Sequence, residues 1–384
     1  MSLDVVAYLD HASGPRLDPR VVEAITTALA WPGSPAGVHE AARAPAEALE
    51  EARSAVAALL GADDPDEIIL TSGATESRNL AVKGLLHANA DLGDGVVATA
   101  LEHPATLAAA AAAGRIVPAD VDGEGRVEAA SLTRALSDDD VALVCLHHGQ
   151  EEIGTRQDVP QLVAAARAAR PEARIMLDCA ATAGLLPVDV QTLAVDALVV
   201  GGPSLGAPPW TGALWVRPGA RLHPLIEGGL QEGGKRAGAE AVPAIAGLGT
   251  AARIAQSEGA ARARRMSALG ARLAAGLEPV PGLARTGPAD DRVPGHLHVT
   301  ITGLSGDTLA ATLGARGVCV APGSTCTAVA GRPSPALEAI GTASGRMRGA
   351  VLMTLGADTR DEEINAGVDA FVEEVARVRA LAPR

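Results

Sequence analysis

Short apolar runs recur along this chain at residues 68–70, 96–100, 141–146, Arg174–Asp178, 197–200 and Gly212–Val216, and helical segments separate several of them. A run that is apolar without alternation is buried on both faces, which requires a largely parallel sheet covered by helices on each side. The pattern predicts an α/β fold. Leu49, Ala52, Val56 and Leu59 repeat at helical spacing and stop at Gly61, a residue suited to a left-handed helix cap, before the strand at Ile68. A second helix is predicted over residues 159–170, and the alanine run 108–113 reads as helix rather than linker.

Beyond about Val242 the texture changes to a long Ala/Arg-rich helical stretch, an alternating segment from Leu297 to Ile301, and a final helix. Thr359 and Glu362 suggest a capping box for that helix, and Ile364, Val368, Phe371, Val375 and Val378 share one face. A smaller α+β domain is predicted from residues 1–14 and 246–384, with the large α/β domain at 15–245. No internal repeat is visible.

The 384 residues are 48% hydrophobic and carry a formal charge of −14. No basic run is present to neutralise nucleic-acid or lipid phosphates, so neither is expected as a partner. No stretch of about 18 apolar residues appears, and Met1-Ser2-Leu3-Asp4 has neither a basic nor an apolar leader region, which predicts a cytoplasmic chain without a membrane span. Cys145, Cys179, Cys319 and Cys326 lack the spacing of a zinc site or a disulfide framework, so no metal is expected and the thiols should be reduced. Lysine is confined to Lys83 and Lys235.

Residues 71–77 read Thr-Ser-Gly-Ala-Thr-Glu-Ser where a strand hands over to a helix. Free N–H groups at a helix N-terminus favour an anion, Gly73 allows close approach, and Ser72 and Thr75 add hydroxyl donors. A phosphorylated ligand fits this junction; so does a plain Ser/Thr helix cap. His103 follows one strand and Asp178 ends another, and open α/β sheets bind ligands at the carboxyl ends of their strands. Each also has an ordinary reading, His103 as a cap and Asp178 as a turn former.

In these ordered motifs the chain resembles the cysteine desulfurases of the class V aminotransferase family. The resemblance runs from Tyr8-Leu9-Asp10-His11-Ala12 through residues 71–77, Glu102-His103, Glu152-Ile153-Gly154, Asp178, the stretch 212–217 and the Gly-rich stretch 228–238 to Gly323-Ser324-Thr325-Cys326. It implies a fold-type I pyridoxal phosphate (PLP) enzyme with a mostly parallel, seven-stranded-type sheet, a homodimer, and a protein partner in sulfur metabolism. Ala74 and Thr75 would then hold the cofactor phosphate, and His103 would stack on its ring. Asp178 would pair with the ring nitrogen, keeping the ring an electron sink, and Cys326 would take the sulfur. Glycine and proline on both sides of Cys326 suit a reactive loop thiol, while an inherited idle thiol stays open.

The departures from the family pattern are chemical. Pro203-Ser204 stands where the family has a His-Lys pair, and a serine forms no imine. The family's ring-supporting asparagine corresponds to Glu151, its glutamine after the aspartate to Ala181, its substrate-binding arginine to Leu352, and its phosphate-binding threonine to Ala239. Each lost hydrogen bond removes about 0.5–1.5 kcal/mol of cofactor affinity. The sequence therefore predicts a degenerate, desulfurase-like scaffold or regulator in which PLP is weakly bound at best and never covalent. Two alternatives keep chemistry: an active PLP-dependent desulfurase or carbon-sulfur lyase using Lys235, or a PLP-independent persulfide carrier using Cys326. Trp215 is expected in the core, and Trp210 either fills the cofactor's space or lies on a surface loop.

Overall fold

The computed structural model describes residues 5–323 and 334–381. A seven-stranded sheet is ordered Ile68–Thr71, Gly212–Val216, Ala197–Gly201, Arg174–Asp178, Val141–His147, Gly95–Ala98, Arg115–Pro118. Only Gly212–Val216 runs against its neighbours; the other pairings are parallel. Successive residues of a strand feed opposite cores. Ile68 and Leu70 join a cluster with Leu49, Val56 and Leu162, whereas Ile69 joins one with Leu80, Leu85 and Val96 on the other face. Both faces are therefore dry, and each fully buried Leu or Ile contributes about 1.5–3 kcal/mol by transfer from water.

Helix Arg43–Leu60 ends as predicted on Gly61, at φ 70°. Helix Val159–Ala169 is capped by Asp158, whose carboxylate accepts from the Gln161 N–H. The 36-residue helix Val242–Leu277 belongs to two cores. Its first half packs Ile245, Leu248 and Ala252 under the large sheet. Its second half packs Leu269, Leu273 and Leu277 against a four-stranded antiparallel sheet of Ala321–Pro322, Ala350–Thr354, His296–Ile301 and Leu283–Arg285.

The structure corrects two readings of the sequence, adds a strand and decides between the two readings of Trp210. The predicted strand 96–100 is Gly95–Ala98, because Thr99 turns the chain by accepting the Leu101 N–H on its hydroxyl. Arg115–Pro118 is an unforeseen edge strand; it is half exposed and so carries no buried run. The capping box of the last helix, Asp361–Leu381, is not Thr359 with Glu362. Instead Glu363 accepts the Arg360 N–H at 2.9 Å, and Thr359 accepts the Gly356 N–H. Trp210 is 63% exposed and fills no ligand space, whereas Trp215 is buried and donates its indole N–H to Glu67 at 2.6 Å.

The Gly-rich stretch is pinned to the sheet edge. Glu232, at φ 50°, accepts the outward N–H of Leu70 at 2.8 Å and pairs with Arg53 at 2.7 Å. An edge strand otherwise presents such N–H groups unpaired. Arg236, four residues on, donates to Glu76 at 2.8 Å, tying the same stretch to the helix that begins at Ala74. Among the described residues, no helix is long and apolar enough to cross a membrane.

Candidate functional site

The parallel strands Arg174–Asp178 and Ala197–Gly201 end on Asp178 and Gly201, and the turns that follow carry Ala181 and the short helix Gly202–Leu205 with Ser204. Glu151 follows the neighbouring strand Val141–His147, and His103 follows Gly95–Ala98. These ends open onto a cavity of about 820 Å³ bounded by Ala74, Arg78, Glu151, Ala181 and Ser204 on one side and by His11, His296 and Asp358 on the other. Val21, Leu205, Ile254 and Met266 give it an aliphatic wall. Of the predicted residues, Ala74, Glu151, Ala181 and Ser204 line this cavity, whereas Gly73, Thr75, His103 and Asp178 do not.

Arg78 dominates that place, and the sequence reading passed over it. It lies one helical turn beyond Ala74 in helix Ala74–Ala88, so both face the cavity. Its Nε donates to Asp178 Oδ2 at 2.5 Å, and its Nη2 donates to Glu151 Oε1. The second oxygen of Asp178 accepts the Ala180 N–H at 2.9 Å. Arg78 and Asp178 are buried, and Asp178 sits behind Arg78 rather than in the cavity wall. Burial alone would lower the Arg78 pKa, but the two carboxylates outweigh it and raise it. Burial likewise pushes the Glu151 carboxyl up, and Arg78 with His103 pulls it below its ordinary value.

His103 caps helix Pro104–Ala113 by accepting the Ala105 N–H on Nδ1 at 2.9 Å. That contact places its proton on Nε2, which lies 3.7 Å from Glu151 Oε2. Burial, aided by Arg78, holds its pKa below the usual histidine range despite Glu151. The hydrogen bond of His103 is that of its cap reading, and its side chain does not line the cavity.

At the phosphate-type junction, Gly73 is the N-cap residue at φ 142°, and Thr75 is exposed. The Ser72 N–H goes to Glu76 Oε2 at 2.8 Å, and Thr71 and Ser77 share a hydroxyl contact at 2.7 Å. Two of the polar groups nearest the loop are thus used within the chain.

Ser204 Oγ donates to the Gly201 carbonyl at 3.1 Å. Neither lysine lines the cavity: Lys235 borders a separate one of about 680 Å³ beside Arg53 and Glu232, and Lys83 lies further along helix Ala74–Ala88. Leu352 stands in the strand Ala350–Thr354, and Arg346 is turned away to the Gly282 carbonyl at 3.0 Å. The guanidiniums that do border the cavity are each held by two carboxylates. Arg16 pairs with Asp358 and Glu363, Arg262 with Asp18 and Glu258, and Arg78 with Asp178 and Glu151. No unpaired cation is left at the cavity wall, among the described residues, to receive a substrate carboxylate.

A second buried polar group was also missed. Glu152 accepts from Ser334 Oγ at 2.8 Å and lies 3.8 Å from His298 Nε2, while His298 Nδ1 meets Thr286 Oγ1 at 2.5 Å. Burial raises the Glu152 carboxyl to about 7 against the Ser334 hydrogen bond. Burial and Arg292 depress His298 to about 3. Their legible signal is Glu152 in the Glu-Ile-Gly motif and His298 in the alternating strand. Cys326 lies outside the described residues.

The profile of the aminotransferase class-V family matches residues 7–366. The chain belongs to the class-V aminotransferase family. Among its relatives, cysteine desulfurase IscS 1 of Archaeoglobus fulgidus is 32% identical, with 98% of each chain covered. Cysteine desulfurase IscS of an Anaeromyxobacter species is 35% identical over 99% of this chain and 95% of the relative. A solved NifS-like protein superposes with a TM-score of 0.89 at 28% identity, covering 98% of this chain and all of the other. The chain is thus a cysteine desulfurase-like class-V protein with the fold of the NifS-like proteins.

Two groups that the family resemblance assigns to PLP are already bonded within this chain. The carboxylate meant for the ring nitrogen has both oxygens engaged, one by a buried guanidinium and one by a backbone N–H. At the place of the tethering amine stands a hydroxyl bonded to its own backbone.

Proposed function

We propose that this class-V protein is a repurposed desulfurase relative that works without a covalently held cofactor, as a cytoplasmic homodimeric scaffold or regulator in sulfur metabolism. The observation carrying this reading is Ser204 at the cavity wall with no lysine beside it. Hydroxyls make no Schiff base, and an amine elsewhere in the chain does not substitute unless it reaches the ligand. The names of the relatives support the descent, and the desulfurase activity in those names is carried over here as ancestry.

The competing reading keeps PLP-dependent desulfurisation through Lys235. One contact favours it: Arg236, the next residue, reaches Glu76 beside the phosphate-type junction. Sulfide release from L-cysteine, measured with and without added PLP, separates the two. The scaffold reading predicts no release above that of free PLP in either the natural protein or K235A. Release by the natural protein that disappears in K235A establishes the relocated amine instead.

A further inference from the structure

We propose that Arg78 is a built-in substitute for the charged ring that Asp178 is shaped to receive, so that the pocket is complete without a ligand and stays closed to PLP even when an amine is restored at position 204. The inference rests on the reading that the natural chain lacks a Schiff-base amine, and it adds a second, independent barrier.

Its basis is the arrangement of charge. One guanidinium lies between two carboxylates, 2.5 Å from Asp178 and in contact with Glu151, and Arg78 and Asp178 are 3% and 4% exposed. Asp178 does not line the cavity and Arg78 does, so a protonated pyridine nitrogen could reach the carboxylate only by displacing the guanidinium whose Nε holds Oδ2. Displacing Arg78 would leave a buried cation without its partner, which is heavily penalised. Glu151 strengthens the closure. It stands where the resemblance places a neutral asparagine, and it adds the second carboxylate that neutralises the guanidinium. Arg78 and Glu151 therefore act as one charged unit, separate from the loss of the lysine.

The test uses the full chain as S204K, S204K/R78N and S204K/R78N/E151N beside the natural protein, each incubated with PLP. Three readouts follow: absorbance, peptide mapping after borohydride reduction, and the PLP-induced shift in melting temperature. The triple variant removes one cation and one anion together, so it keeps the local charge balanced if the double variant fails to fold. S204K is expected to take up PLP about 100-fold more weakly than the variants lacking Arg78, without an adduct at position 204 and without thermal stabilisation. Removing Arg78 should give both.

An adduct at position 204 in S204K with Arg78 in place, at an affinity equal to that of the triple variant, overturns the inference. So does absence of the adduct in all three variants, which puts the barrier elsewhere. A reducible adduct in the natural protein is a different failure: it overturns the proposed function and is visible without any variant.

Discussion

Arg78 Nε stands 2.5 Å from Asp178 Oδ2, and both side chains are buried at the carboxyl end of the large sheet. Removing one partner of such a pair costs about 3–5 kcal/mol, because the other charge stays buried and unpaired. R78M should therefore lose about that much stability in urea unfolding, since methionine keeps the length but leaves Asp178 and Glu151 facing each other. R78M/D178N should recover part of the loss. A loss below about 1 kcal/mol in R78M would mean that the ion pair does not hold the pocket.

Glu232 offers a comparable test at the sheet edge. Its side chain is 2% exposed, pairs with Arg53 and accepts the Leu70 N–H, from a backbone at φ 50°. E232A removes the carboxylate and keeps a Cβ in the left-handed region, so a loss of about 3 kcal/mol is expected. E232Q retains an acceptor for Leu70 and should lose less. Equal losses in the two variants would show that the hydrogen bonds are immaterial.

The pH dependence of stability contains opposing contributions. Glu152 is raised from 4.5 to about 7 by burial, so the folded chain holds its proton more tightly than the unfolded chain. Its contribution to stability is present at low pH and is lost as pH rises from about 4.5 through 7, by about 3 kcal/mol at 1.36 kcal/mol per pH unit. His298, depressed to about 3, and His296, depressed to about 4, act oppositely; the stability of their neutral forms is lost as pH falls from 6.5. The difference between the natural protein and E152Q isolates the carboxyl. E152Q should gain on the natural protein steadily from about pH 4.5 to 7 and level off above. A difference independent of pH would show that Glu152 ionises as it would in water.

The sheet was largely legible because a strand buried on both faces admits few residue types. Gly212–Val216 and Arg174–Asp178 stood out for that reason. Arg115–Pro118 did not, since an edge strand half open to water needs no apolar run. Asp178, His103, Glu151 and Ser204 were proposed from motif order, which places residues along the chain but not their partners; of the four, Glu151 and Ser204 line the cavity. Arg78 escaped because an arginine in a helix reads as solvated surface, and nothing in its sequence neighbourhood shows that Asp178, far along the chain, comes to meet it. The ion pair is a product of strand order.

The most direct measurement is the absorbance spectrum of the full-length protein purified from cells supplied with pyridoxine, followed by borohydride reduction and peptide mapping of Lys83 and Lys235. The account predicts a colourless protein with both lysines unmodified. A visible chromophore that reduction fixes to either lysine would contradict it.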